Sequence, residues 1–122
     1  MDTRTSVFEY MYRDGGNFKT CGWLLLTGRD AEAEGKVLRC LEWGKQFVAE
    51  QVGIPSLCRE HWEASGDGPS DLDHAFHEFI CLREACPEDE TMPTWGSVEA
   101  LVARMQFAAG RWDATLSPNC GL

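Results

Sequence analysis

Side chains alternate from Ser6 to Arg13, with Phe8, Tyr10 and Tyr12 on one side and Val7, Glu9 and Met11 on the other, which predicts an aromatic-rich strand. Asp14-Gly15-Gly16-Asn17 supplies residues that tolerate positive φ in a tight connection. An extended apolar run then resumes over Phe18 to Thr27 through Cys21, Trp23, Leu24, Leu25 and Leu26. Together these segments predict an antiparallel hairpin. Downstream, Asp30 is placed to cap a helix, Glu32 and Glu34 suit the positive end of its dipole, and Ala33, Val37, Leu38 and Leu41 share one helical face. That helix is expected from about Ala31 to Trp43, despite a cost of roughly 1 kcal/mol at Gly35.

Phe47 to Gly53 is short and apolar at its ends, and Ile54-Pro55 biases the backbone toward extended geometry, so a brief third strand or edge segment is expected. Leu57, Cys58, His61 and Trp62 keep a spacing of one or two helical turns. Ser65 to Asp71 reads as a loop. Strand character returns over Ala75 to Glu84, with Phe76, Ile80 and Leu82 on one face and His77, Phe79 and Cys81 on the other. Pro87 to Pro93 is an acidic exposed connection. Ser97 caps the clearest helix, whose stripe is Val98, Leu101, Val102, Met105, Ala108, Ala109 and Trp112, with Arg104 and Arg111 off it. The tail at 117–122 is expected to fray. The fold class is therefore α+β: a small antiparallel sheet, made of the N-terminal hairpin plus a later strand, covered by two main helices.

At 122 residues and 43% hydrophobic content, the chain has the size of one ordinary domain, expected to span 1–122. No run of 18 apolar residues is present, and the opening Met1-Asp2-Thr3-Arg4 lacks the basic-then-apolar design of a secretory signal, so a cytoplasmic location with no membrane partner is expected. Six cysteines (Cys21, Cys40, Cys58, Cys81, Cys86 and Cys120) are read as mostly reduced thiols, several packed as small hydrophobes. A net charge of −9 without a basic stripe disfavours direct nucleic-acid binding. Residues 59 to 90 hold ten acids against two arginines, together with all three histidines, which marks this acidic loop region as solvated or partner-facing.

Three motifs, Tyr12-Arg13-Asp14-Gly15-Gly16-Asn17-Phe18-Lys19, Phe47 to Leu57 and His74-Ala75-Phe76-His77-Glu78-Phe79, resemble those of a group of small uncharacterised bacterial and phage-associated proteins. The resemblance covers roughly residues 7 to 112. It implies an α+β single domain and brings no activity with it.

His61, Asp73, His74, His77 and Glu78 are donors suited to zinc, manganese or iron. Against a metal site stands the spacing: His74 and His77 share a face on a helix but not on a strand, and the His-Glu-x-x-His order is absent. A site there ranks below local hydrogen bonding of His77, with Asp71 and Asp73 as turn residues. No cysteine pair has the two-residue spacing of a redox or zinc-ribbon site, and the pairs Cys58 with His61 and Cys81 with His77 are not selected over buried thiols. At the hairpin tip Arg13, Asn17 and Lys19 are an anion-binding candidate, although turn chemistry alone accounts for Gly and Asn there.

Trp23 and Trp112 fit the inferred core, whereas Trp62 and Trp95 flank the acidic segment. The expected function is a non-enzymatic binding module needing no cofactor, an immunity-like or anti-defence-like inhibitor that occludes a basic surface of a partner protein. Its contact residues would be Glu60, Trp62, Glu63, Asp67, Asp71, Asp73, Glu88, Asp89, Glu90 and Trp95. The alternative is a small hydrolase using zinc or manganese at the His/Asp/Glu cluster. A third reading is a homodimer whose acidic loop is merely solvated.

Overall fold

β1 (Thr5–Arg13) and β2 (Lys19–Thr27) pair antiparallel from Thr5↔Thr27 to Arg13↔Lys19, as the alternation predicts. The computed structural model describes residues 4–14, 16, 18–66, 74 and 76–113, and the predicted tail lies outside them. Phe8, Tyr10 and Tyr12 are buried on one face, joined by Leu24 and Leu26. Between them Gly22 lies opposite Tyr10, where a Cβ would come within 2.8 Å of Leu57 Cδ2 and 3.0 Å of the Tyr10 ring. Trp23 is not in the core but on the opposite face, 49% exposed. Gly22 and Leu24 hold the inward positions, and the period of two sends the residue between them outward.

β4 (Phe76–Glu84) pairs antiparallel with the other edge of β1. Glu9 faces Cys81 but Tyr10 faces Phe79, so Ile80 is an extra residue in a β-bulge. This corrects the simple alternation: Phe79 and Leu82 both pack with the core, and Ile80 is exposed. β3 (Gln46–Val48) pairs antiparallel with β4, and β5 (Thr94–Ser97) pairs parallel with β2. The result is a curled, mixed five-stranded sheet in the order β3-β4-β1-β2-β5, not the wholly antiparallel sheet expected. A strand of four residues, Thr94-Trp95-Gly96-Ser97, carries no alternation of its own, and its direction follows from the helix it feeds.

Three helices, α1 (Ala33–Leu38), α2 (Cys58–Ser65) and α3 (Val98–Ala108), contribute to one core with the aromatic face of the sheet. Only α2 and α3 reach eight residues. The first helix ends at Leu38 and not at Trp43. There the backbone tightens to i→i+3 bonds at Cys40 and Leu41, then reverses through Trp43 (φ 50°) and Gly44 (φ 76°). Asp30 does not cap α1 directly; its carboxylate accepts from the Glu32 N–H at 2.9 Å, one turn ahead. The apolar run after Phe47 stops being a strand at Val48 and becomes a 3₁₀ turn, Ala49–Val52, closed by Gly53 at φ 73°.

α3 matches its prediction, with the Ala100 N–H donating to Ser97 Oγ at 3.0 Å and Val98, Leu101, Val102, Met105 and Ala108 buried. In the core Phe8 lies 5.6 Å from Tyr10, 5.8 Å from Phe47 and 5.2 Å from Phe79 by ring centroid. Trp112 packs against it and donates to the Cys40 carbonyl at 2.8 Å. Among the described residues no helix is long and apolar enough to cross a membrane.

Candidate functional site

The hairpin tip folds around its own carboxylate. Asp14 Oδ1 accepts the N–H groups of Gly16 (2.8 Å) and Phe18 (3.1 Å), the pattern of an Asx turn. Oδ2 receives His61 Nε2 of α2 at 2.9 Å, and His61 Nδ1 lies 2.8 Å from Thr20 Oγ1 of β2. His61 is 3% exposed, and the imidazole bond, with the two backbone N–H groups, holds Asp14 below the usual carboxylate range. The anion that these N–H groups bind is thus internal. Arg13 pairs with Glu78 at 3.0 Å, Lys19 is exposed, and Asn17 lies outside the described residues.

Tyr12 is fully buried and ringed by imidazoles, with centroids at 4.9 Å (His61), 5.2 Å (His74) and 5.3 Å (His77). The histidines are together in space, yet their nitrogens serve the fold. His74 Nε2 donates to the Arg13 carbonyl at 2.7 Å, while its Nδ1 accepts from Phe76 N–H at 3.1 Å. His77 Nε2 accepts from Leu57 N–H at 2.9 Å. Glu78 lies on the other face of the sheet, bound by Arg13 and, at 3.5 Å, by Lys45. Among the described residues no group of three or more potential ligands gathers to hold a metal ion, and Asp73 lies outside them. Cys81 does not meet His77 either: it sits on the outer face and donates to Glu9 Oε2 at 3.4 Å, with burial pushing its thiol pKa up.

At the far end of β1 a second polar network forms. The Arg83 guanidinium bridges Glu9 and Asp89, the latter at 2.8 Å and 3.2 Å from its two terminal nitrogens. Asp89 also accepts the Cys86 N–H at 2.7 Å. Hydrogen bonds from Arg83 lower the pKa values of both carboxyls. Nearby, Glu90 accepts from Thr5 Oγ1 at 2.8 Å, and Arg29 pairs with Glu84 at 3.2 Å. A 320 Å³ polar cleft opens beside them, lined among others by Arg4, Arg29, Asp30 and Glu34.

The acidic stretch is therefore neither one loop nor one patch. α2 and β4 fall inside it, and its described acids divide between the two ends of β1. Glu60 and Glu63 are exposed on α2, the helix tied to Asp14 at one end. Glu84, Glu88 and Glu90 are exposed at the Thr5 end, while Asp89 is partly buried against Arg83. Asp67, Asp71 and Asp73 lie outside the described residues. Trp62 and Trp95 are half-buried against the core, and Trp95 donates to the Gly53 carbonyl at 2.9 Å with Arg104 over its ring.

Sequence reasoning missed the apolar part of the outer sheet face, where Trp23 is 49% and Ile80 43% exposed, with Cys21 exposed beside them. Trp23 Nε1 donates to Glu9 at 3.2 Å, which joins it through Arg83 to Asp89 and the acidic segment beyond. The signal for Trp23 was present in the pattern, because residues 22 and 24 alternate with it. Comparison of the chain with protein-family models, curated proteins and solved structures finds no match in any of the three.

Proposed function

We propose that this protein is an acidic binding module that covers a basic surface of a partner protein, an inhibitor of the immunity or anti-defence kind. The observation that carries the reading is the outer sheet face, where half-exposed Trp23 and Ile80 lie beside a Glu9–Arg83–Asp89 chain that leads to exposed Glu84, Glu88 and Glu90. A large aromatic beside charge is the composition of an interface hot spot. Carboxylates around it speed encounter with a Lys- and Arg-rich surface and repel nucleic acid. Asp89 is a scaffold here, since Arg83 holds it, and the exposed acids beside it make the contact.

The test is recovery of a basic protein from a native host lysate by the wild-type chain, by Trp23→Ala and by a Glu88→Lys/Glu90→Lys pair. The expected result is one partner whose recovery falls at high salt and is lost in both variants, with melting temperatures unchanged. Recovery of no partner, or of one indifferent to both changes, overturns the proposal. Recovery of a second copy of the chain would replace it with self-association.

A further inference from the structure

The hydroxyl, imidazole and carboxylate of Thr20, His61 and Asp14 form one hydrogen-bonded line, with spacings of 2.8 Å and 2.9 Å. A carboxylate only accepts, so the Nε2 facing Asp14 carries a proton. In the neutral tautomer with its one proton there, Nδ1 is the acceptor for the Thr20 O–H. This is the connectivity of an activated nucleophile: a hydroxyl within reach of a base that a third group orients. Supporting bonds from Gly16 and Phe18 N–H groups fix the carboxylate, and Tyr12 packs edge-on against the imidazole at 84°. Neither the core nor the outer-face docking surface requires such a line. A helix could be fastened to a hairpin by apolar contact alone, and Leu57, at the N-cap of α2, already packs over Gly22. Thr20 itself is half-buried.

We infer that Thr20 is an activated nucleophile toward acyl groups carried on good leaving groups, the class of aryl esters and thioesters. In the step, Thr20 Oγ adds to the carbonyl carbon while its proton passes to His61 Nδ1. Collapse breaks the bond between the carbonyl carbon and the leaving oxygen or sulfur, which takes that proton from His61, leaving an ester on Thr20. His61 and Thr20 are the reacting groups, and Asp14 is a positioning residue that holds the ring in the productive tautomer.

The experiment exposes the full chain to p-nitrophenyl acetate, follows p-nitrophenolate release, and maps the acetyl group by peptide mass spectrometry. Expected is one acetyl on Thr20, retained in Thr20→Ser and absent in Thr20→Val. His61→Gln keeps hydrogen-bonding capacity at the ring position but cannot take up the proton, and it should slow acetylation at residue 20 by about 100-fold or more. Asp14→Asn should slow it as well, with Asp14→Glu restoring part of the rate. Melting curves on every variant separate loss of chemistry from loss of fold. Acetyl groups only on lysines or the amino terminus of the wild-type chain, or an undiminished rate at residue 20 in folded His61→Gln, overturn the assignment.

Discussion

Four carboxylates among the described residues, Glu9, Asp14, Asp30 and Asp89, titrate below their ordinary range because hydrogen bonds from Arg83, from His61 or, at Asp30, from the Glu32 N–H favour the charged form. A depressed carboxyl stabilises the fold above its unfolded pKa, and that contribution disappears as pH falls through the folded value. Urea midpoints should therefore hold near neutrality and drop below about pH 4, where unfolded carboxylates begin to bind protons. Asp14→Asn should lower the midpoint at pH 7 and make the acid decline shallower, because one of the four linked groups is gone. Gly22 gives a test of close packing at the same scale. Its missing side chain leaves room for Leu57 and the Tyr10 ring, whose hydroxyl is anchored to the Pro55 carbonyl at 2.8 Å, so little relief is available on that side. Gly22→Ala should cost about 1–3 kcal/mol in chemical denaturation.

Elements differed in how legible they were, and the difference follows the range of the interactions that fix them. β1, β2 and α3 declare themselves over nine to eleven residues, through aromatic alternation, an extended apolar run and a helical stripe, so their local preference and their packing agree. The Ser97 cap is a clear instance, and Ser97→Ala should cost about 1 kcal/mol with an unchanged denaturant slope. α1 was overextended because Leu41 fits the helical period, whereas the reversal at Trp43 and Gly44 that joins Glu42 to Gln46 begins just beyond it. β3 and β5 are set by pairing with β4 and β2, strands remote in sequence, and a run of three or four residues cannot encode that. The candidate site was half legible. Residue types at the tip and the three histidines drew attention, but the union of Asp14, Thr20 and His61 depends on where α2 lands, which no spacing records.

For the molecule as a whole, the central strand β1 pairs with residues immediately after it and with residues 78 to 84, so the sheet closes only when distant parts of the chain meet. Refolding followed by tryptophan fluorescence should accordingly fall in the millisecond-to-second range of non-local folds, and a microsecond phase accounting for the full amplitude would contradict this. Charge is organised at this scale too. Exposed acids at opposite ends of β1 make two separate negative regions, and the sequence, which showed only their closeness along the chain, made them look like one. The extra residue at Ile80 has a consequence for how this fold tolerates insertion and deletion. Remove Ile80 and the rungs Tyr10–Phe79 and Glu9–Cys81 become consecutive, with every inward side chain still inward. Excise a residue from β1, which pairs with β2 without any shift, and the residues on one side of the cut turn inside out. Ile80 is thus a spare link in β4, a place where length can change while the two surfaces of the sheet keep their identities.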